Sequence, residues 1–138
     1  MTRLQIFYNF MSELATLSKC EDKKQAAIIV TRDLSQVLSI GLNGGPKHGI
    51  DCLCTLGGKY SCIHAEVQAI IKACQSVEAC VMLCTMSPCV TCATAIVNSG
   101  IKRVYYDKPY KSTEGINILK TAGVAVLSFE EAGIQCRA

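Results

Sequence analysis

The sequence predicts an α/β domain: a mixed sheet of about five strands with helices on both faces, three layers in all. Three observations lead there. From about residue 64 onward, segments with apolar residues at helical spacing alternate with short β-branched runs, the pattern of βαβ crossovers. Ahead of them, two β-branched runs flank the turn-like Arg32-Asp33-Leu34-Ser35, which reads as a hairpin and adds antiparallel pairing to the parallel part. Finally, 138 residues that are 50% apolar with only 3 prolines suit one domain with its own core.

The elements follow in order. Leu4, Phe7, Met11, Leu14 and Leu17 recur every three or four residues and predict an amphipathic helix over about 2–18. Ala26–Thr31 and Gln36–Leu42 are the two hairpin strands. Gly41–Tyr60 holds six glycines, one proline and two cysteines, and a connection of that length usually has a function. A helix is predicted from His64 to Gln75 and a strand at Ala79–Thr85. A Ser-Pro break leads to a helix at Cys89–Ser99, stopped by Gly100. Arg103–Tyr106 reads as a strand, Thr113–Ala122 as a helix stopped by Gly123, and Val124–Phe129 as the last strand. Residues 1–138 form a single domain in this reading, with 131–138 as a peripheral or frayed tail.

Composition excludes several classes. The formal charge of +3 is too mild for a surface that coats nucleic acid. No apolar run approaches the ~18–20 residues of a membrane span. The opening Met-Thr-Arg-Leu-Gln lacks the apolar stretch of a signal peptide, so a cytoplasmic location is expected. Ten cysteines, about 7% of the chain, approach the density of secreted disulfide scaffolds. Most, however, sit inside apolar runs. Cys74, Cys80 and Cys84 read as small core hydrophobes in a reducing compartment.

Two fragments carry chemistry: His64-Ala65-Glu66 and Pro88-Cys89-Val90-Thr91-Cys92. Alone, the first is a common surface pattern and the second is ambiguous between a redox pair and half a metal site. Together, each opening a helix with a strand between them, they are much stronger. Cys89 and Cys92 are three apart and share a helix face. Pro88 suits the first helical position, N1, which sets both sulfurs at the positive end of the helix dipole. His64, at the first position of its own helix, adds a nitrogen. Three protein ligands with a fourth position open is the catalytic zinc pattern. Glu66 is then placed beside the metal as acid/base.

The constellation resembles the zinc-dependent cytidine/deoxycytidylate deaminase superfamily, whose nucleobase deaminases carry the same H-x-E…P-C-x-x-C signature. The resemblance runs from about Ser18 to Phe129 and is greatest to deoxycytidylate (dCMP) deaminases, phage-encoded ones included. It rests on Ser18-Lys19-Cys20, Gly41-Leu42-Asn43-Gly44-Gly45-Pro46, His64 to Ile70, Ser87 to Ala93 and Ser99-Gly100-Ile101-Lys102. Leu42, Ala26-Ala27 and a slightly short Val67–Ser87 segment depart from the family pattern without removing a ligand or Glu66.

The resemblance implies a three-layer cytidine deaminase-like fold and hydrolysis of dCMP to dUMP and ammonia. It implies one catalytic Zn²⁺ per chain on His64, Cys89 and Cys92, with Glu66 moving the protons. Asn43 would contact the sugar, Ala65 and Ser87 would line the base pocket, and Lys24 (with Lys23) and Tyr110 would hold the 5′-phosphate. It further implies dCTP as activator and dTTP as inhibitor, with Mg²⁺ on the triphosphate, near Lys19, Asn43, Gly44 and Gly45. A homo-oligomer, a hexamer favoured, fits the apolar first helix. The expected compartment is the cytoplasm, that of the host for a phage gene, with no nucleic acid or membrane as partner.

Plainer readings stand beside these. Asn43 also suits a turn, and exposed lysines are usually just solvated. Cys20, His48, Cys52 and Cys54 have irregular spacing that favours separate thiols over a second, structural zinc. A tRNA adenosine deaminase shares the zinc core but needs a basic RNA surface that +3 does not supply. A nucleoside cytidine deaminase typically has a third Cys in place of His64. An inactive zinc-stabilised module has no use for Glu66.

Overall fold

In the computed structural model, residues 1–20, 22–45 and 62–138 are described, and the account below concerns these. The elements are α1 (Arg3–Ala15), β1 (Ala26–Val30), β2 (Val37–Leu42), α2 (Ala65–Lys72), β3 (Val81–Met86), α3 (Val90–Ser99), β4 (Arg103–Lys108), α4 (Glu114–Thr121) and β5 (Ala125–Ser128). The sheet has five strands in the order β2-β1-β3-β4-β5. β1 is antiparallel to both β2 and β3, whereas β3, β4 and β5 run parallel. The mixed sheet agrees with the sequence reading, hairpin at one side and crossovers at the other.

All five residues of β1 are buried, because strand alternation sends them into two different cores. Ala27 and Ile29 join Ala69, Met82, Ile96 and Leu119 beneath α2, α3 and α4. Ala26, Ile28 and Val30 join Tyr8, Met11, Leu83 and Phe129 beneath α1. The layers are therefore unequal, with three helices on one face and one on the other.

α1 begins where Thr2 Oγ1 accepts the Gln5 N–H at 3.1 Å, a side-chain N-cap. It stops short of the expected residue 18, since Leu17 and Ser18 bond three residues back, a tightened last turn. α3 ends at Gly100 in the left-handed region (φ 88°). Cys80 and Cys84 are buried, but Cys74 is not the core residue expected: it follows α2 with φ 56° and is exposed.

The peripheral tail is bonded to α1. Gln5 and Gln135 exchange two hydrogen bonds, Arg137 N–H donates to Tyr8 Oη at 2.7 Å, and Arg137 pairs with Glu13 at 2.8 Å. This tail and α1 together close the face that a single helix leaves partly open. Phe129 is the hub there, fully buried, with Tyr8 edge-on at 4.9 Å and Tyr105 stacked at 5.7 Å. Phe129→Ala should cost about 3–5 kcal/mol of stability, read as a lower urea midpoint at unchanged slope.

Candidate metal centre and its pocket

Two helix N-termini meet at the ends of β2 and β3. His64 is the N-cap of α2 and Cys89 the N-cap of α3, each with extended backbone and no side-chain capping bond. Both therefore stand one residue ahead of the helical positions expected for them. Pro88 accordingly precedes the cap instead of occupying N1. The first-turn N–H groups of both helices are left to face the site, giving it a positive local field.

His64 Nδ1 lies 3.3 Å from Cys92 Sγ and 3.5 Å from Cys89 Sγ. The three donor atoms all lie within 4.8 Å of one another. Zinc bonds to nitrogen and sulfur at a tetrahedral angle place such donors about 3.6 Å apart, so the set fits one zinc ion. Without metal, the Cys89 thiol is lowered to about 3 by hydrogen bonding to Cys92 and His64, while Cys92 is pushed up by the same contact and by burial. Metal binding requires both sulfurs as thiolates and displaces the protons they hold. The hydrogen bond to Cys89 also raises His64.

Glu66, one turn position inside α2, is 7% exposed. Burial raises its carboxyl above the usual range, opposed by a hydrogen bond from Cys92 and the charge of His64. It lies beside the set of three donors formed by His64, Cys89 and Cys92.

The pocket over this set has a volume of about 190 Å³. It is lined by His64, Ala65, Glu66, Ser87, Cys89, Asn43 and Tyr110, together with Cys20, Asp22, Lys23, Gln25, Cys62 and Met86. It opens at the C-terminal ends of β3 and β4, the usual ligand position of an open α/β sheet. Lys24 is not among its walls: its Nζ donates to Ser18 O at 2.7 Å, whereas neighbouring Lys23 reaches the pocket. Asn43 lines the pocket while its amide is engaged within the chain. Its Oδ1 accepts from Ser18 Oγ and Gln25 N–H, and its Nδ2 donates to Lys23 O. Asn43 therefore ties segment 18–25 to the end of β2. Ser87 Oγ accepts the Tyr110 N–H at 2.7 Å, and Ser87 N–H donates to Lys108 O at 2.9 Å.

Gly44 pairs with Ile63 in an isolated antiparallel bridge. Lys19 is exposed. His48, Cys52 and Cys54 lie outside the described residues, so the second-zinc grouping is not placed; Cys20 is buried. Gln25, Met86 and Cys62 were not singled out from sequence as pocket residues. They flank β1, β3 and the His64 motif, and the adjacency of those strands was the only signal for them.

Comparison with known proteins agrees with this geometry. The family model described as the cytidine and deoxycytidylate deaminase zinc-binding region matches residues 1–108. A deoxycytidylate deaminase of Saccharomyces cerevisiae is 30% identical over 88% of this chain, which spans 44% of that enzyme's length. The deoxycytidylate deaminase of Enterobacteria phage T2 is also 30% identical, over 92% of this chain and 90% of its own. Among solved structures, the dCMP deaminase of cyanophage S-TIM5 in complex with dCMP and dUMP superposes with a TM-score of 0.82. That match is at 30% identity and covers 91% of this chain and 95% of that one. Among the described residues, no helix is long and apolar enough to cross a membrane.

Proposed function

The chain belongs to the cytidine and deoxycytidylate deaminase family, and on that footing we propose that it hydrolyses dCMP to dUMP and ammonia. One observation carries this reading: a buried Glu66 stands at the open side of the His64–Cys89–Cys92 set, inside a pocket. A structural metal site needs no such carboxyl. The full-length match to phage dCMP deaminases favours the nucleotide over other amine substrates.

Zinc held by His64, Cys89 and Cys92 would supply a Lewis acid that brings a water's pKa toward neutrality. The chain's own residues do the rest. Glu66 takes one proton of the attacking water and delivers it to N3 of the cytosine; it then carries the remaining hydroxyl proton to the amino group, which leaves as ammonia as the C4 carbonyl forms. Burial raises its pKa, which favours its holding the proton between the transfers. The backbone at Ala65 and Ser87 borders the base. Asn43 faces the sugar, and Tyr110 with Lys23, in place of the expected Lys24, takes the 5′-phosphate.

The same reading extends to regulation. dCTP activates and dTTP inhibits, each as a Mg²⁺ complex, through Lys19, Asn43, Gly44 and Gly45. The exposed Ile6 and Phe10 of α1 and Leu17 just after it support burial against further copies, and a hexamer is the favoured assembly. The enzyme acts in the cytoplasm, supplying dUMP for thymidylate formation.

The test measures ammonia release from dCMP, dCTP, cytidine and an adenosine stem-loop. Turnover of dCMP alone is expected; turnover of the stem-loop alone would turn the assignment to RNA. A dCMP saturation curve should shift left with dCTP and right with dTTP. Superimposable curves from a monomeric protein would remove the regulatory and oligomeric parts together.

A further inference from the structure

We infer that Gly115 and Ser87 are positioning residues for the metal centre, holding the ligand Cys89 against α4 and the β4–α4 loop; this rests on the zinc reading above. Gly115 is buried in the first turn of α4, with no unusual φ that would call for glycine. What demands glycine is space. A Cβ built there lies 2.0 Å from Pro88 O and 2.9 Å from both C and O of Cys89. Those are backbone atoms of Cys89, which caps α3 and presents one sulfur of the set, and of Pro88 just before it. They yield only if the Pro88–Cys89 segment moves.

Ser87 fixes the same segment from its other end. Its Oγ accepts from Tyr110 N–H and its N–H donates to Lys108 O, so the chain just before Pro88 is bonded to the chain just before α4. Ser87 is 3% exposed, so these bonds have little competition from water. The two contacts bracket Cys89, one by hydrogen bonds and one by backbone-to-backbone packing. A sulfur displaced by half an ångström loses tetrahedral geometry, while the fold away from this corner is unaffected.

The experiment measures zinc affinity and zinc release by chelator competition, on wild type, Gly115→Ala, Ser87→Ala and Leu119→Ala. Leu119→Ala destabilises the same helix on the same buried face, one turn further along. Gly115→Ala is expected to weaken zinc affinity at least tenfold. Ser87→Ala is expected to speed release at least threefold. Leu119→Ala lowers the melting temperature with affinity within twofold of wild type. The cobalt-substituted Gly115→Ala protein should also show an altered thiolate charge-transfer band. Should Gly115→Ala not fold, the release rate of Ser87→Ala decides. Wild-type affinity in a folded Gly115→Ala, an unchanged release rate in Ser87→Ala, or an equal loss in Leu119→Ala each overturns the inference. Absence of zinc binding by the wild type overturns the metal reading instead.

Discussion

Glu66→Gln should leave one zinc on the chain and lower turnover of dCMP by at least about 10²–10⁴-fold, the usual worth of a positioned proton carrier. The amide keeps the volume of the side chain in a buried place but neither accepts nor delivers a proton. Burying a neutral amide costs less than burying a carboxylate, so the variant should be no less stable than the parent. Metal analysis alongside steady-state ammonia release reads both halves. Loss of zinc would make Glu66 a ligand, and near-normal turnover would remove it from the chemistry.

Cys92→Ala should do the opposite, losing zinc and activity together. Cys92 is 1% exposed and its sulfur sits 3.3 Å from His64 Nδ1. Without it two donors remain, too few to hold zinc against buffer and chelator. Zinc content should fall from one per chain to background. Cys80→Ala, another buried thiol but outside the set, should retain both zinc and turnover. Thermal melts give a second reading. Free zinc at 1,000 times its Kd stabilises a binding-competent fold by about 4 kcal/mol, so zinc should raise the melting temperature of wild type and not of Cys92→Ala.

The two short motifs were legible because each is a local statement. A ligand at a helix start is written within three or four residues, and the β-branched run between the motifs announces the strand that joins them. The sheet composition followed from the same local signals, with a hairpin first and crossovers after. What was hidden is non-local. Pro88 looked like a first helical residue because its fixed φ suits that position. Cys89 takes the extended backbone of a cap instead, moving the helix start one residue on. Cys74 sat in an apolar context, yet α2 ends before it and its positive φ turns it outward. The tail after Glu130 has no strong pattern of its own. Its order comes from Gln5, Tyr8 and Glu13, some 130 residues earlier, which no local window contains. Gly115 is the sharpest case, because a glycine inside a helix reads as a weak point until the neighbouring backbone is seen.

The place of β1 between β2 and β3 has a consequence in time. Its pairing with β2 is a local hairpin, a microsecond event. Its pairing with β3, Ile28 to Leu83, waits for a partner more than fifty residues downstream. Only that second closure brings the end carrying Cys89 and Cys92 beside the helix that begins at His64. Metal capture is therefore a late step of refolding, trailing the far-ultraviolet signal of helices and hairpin. A chain emerging from the ribosome cannot complete the site until β3 and α3 have been synthesised and docked.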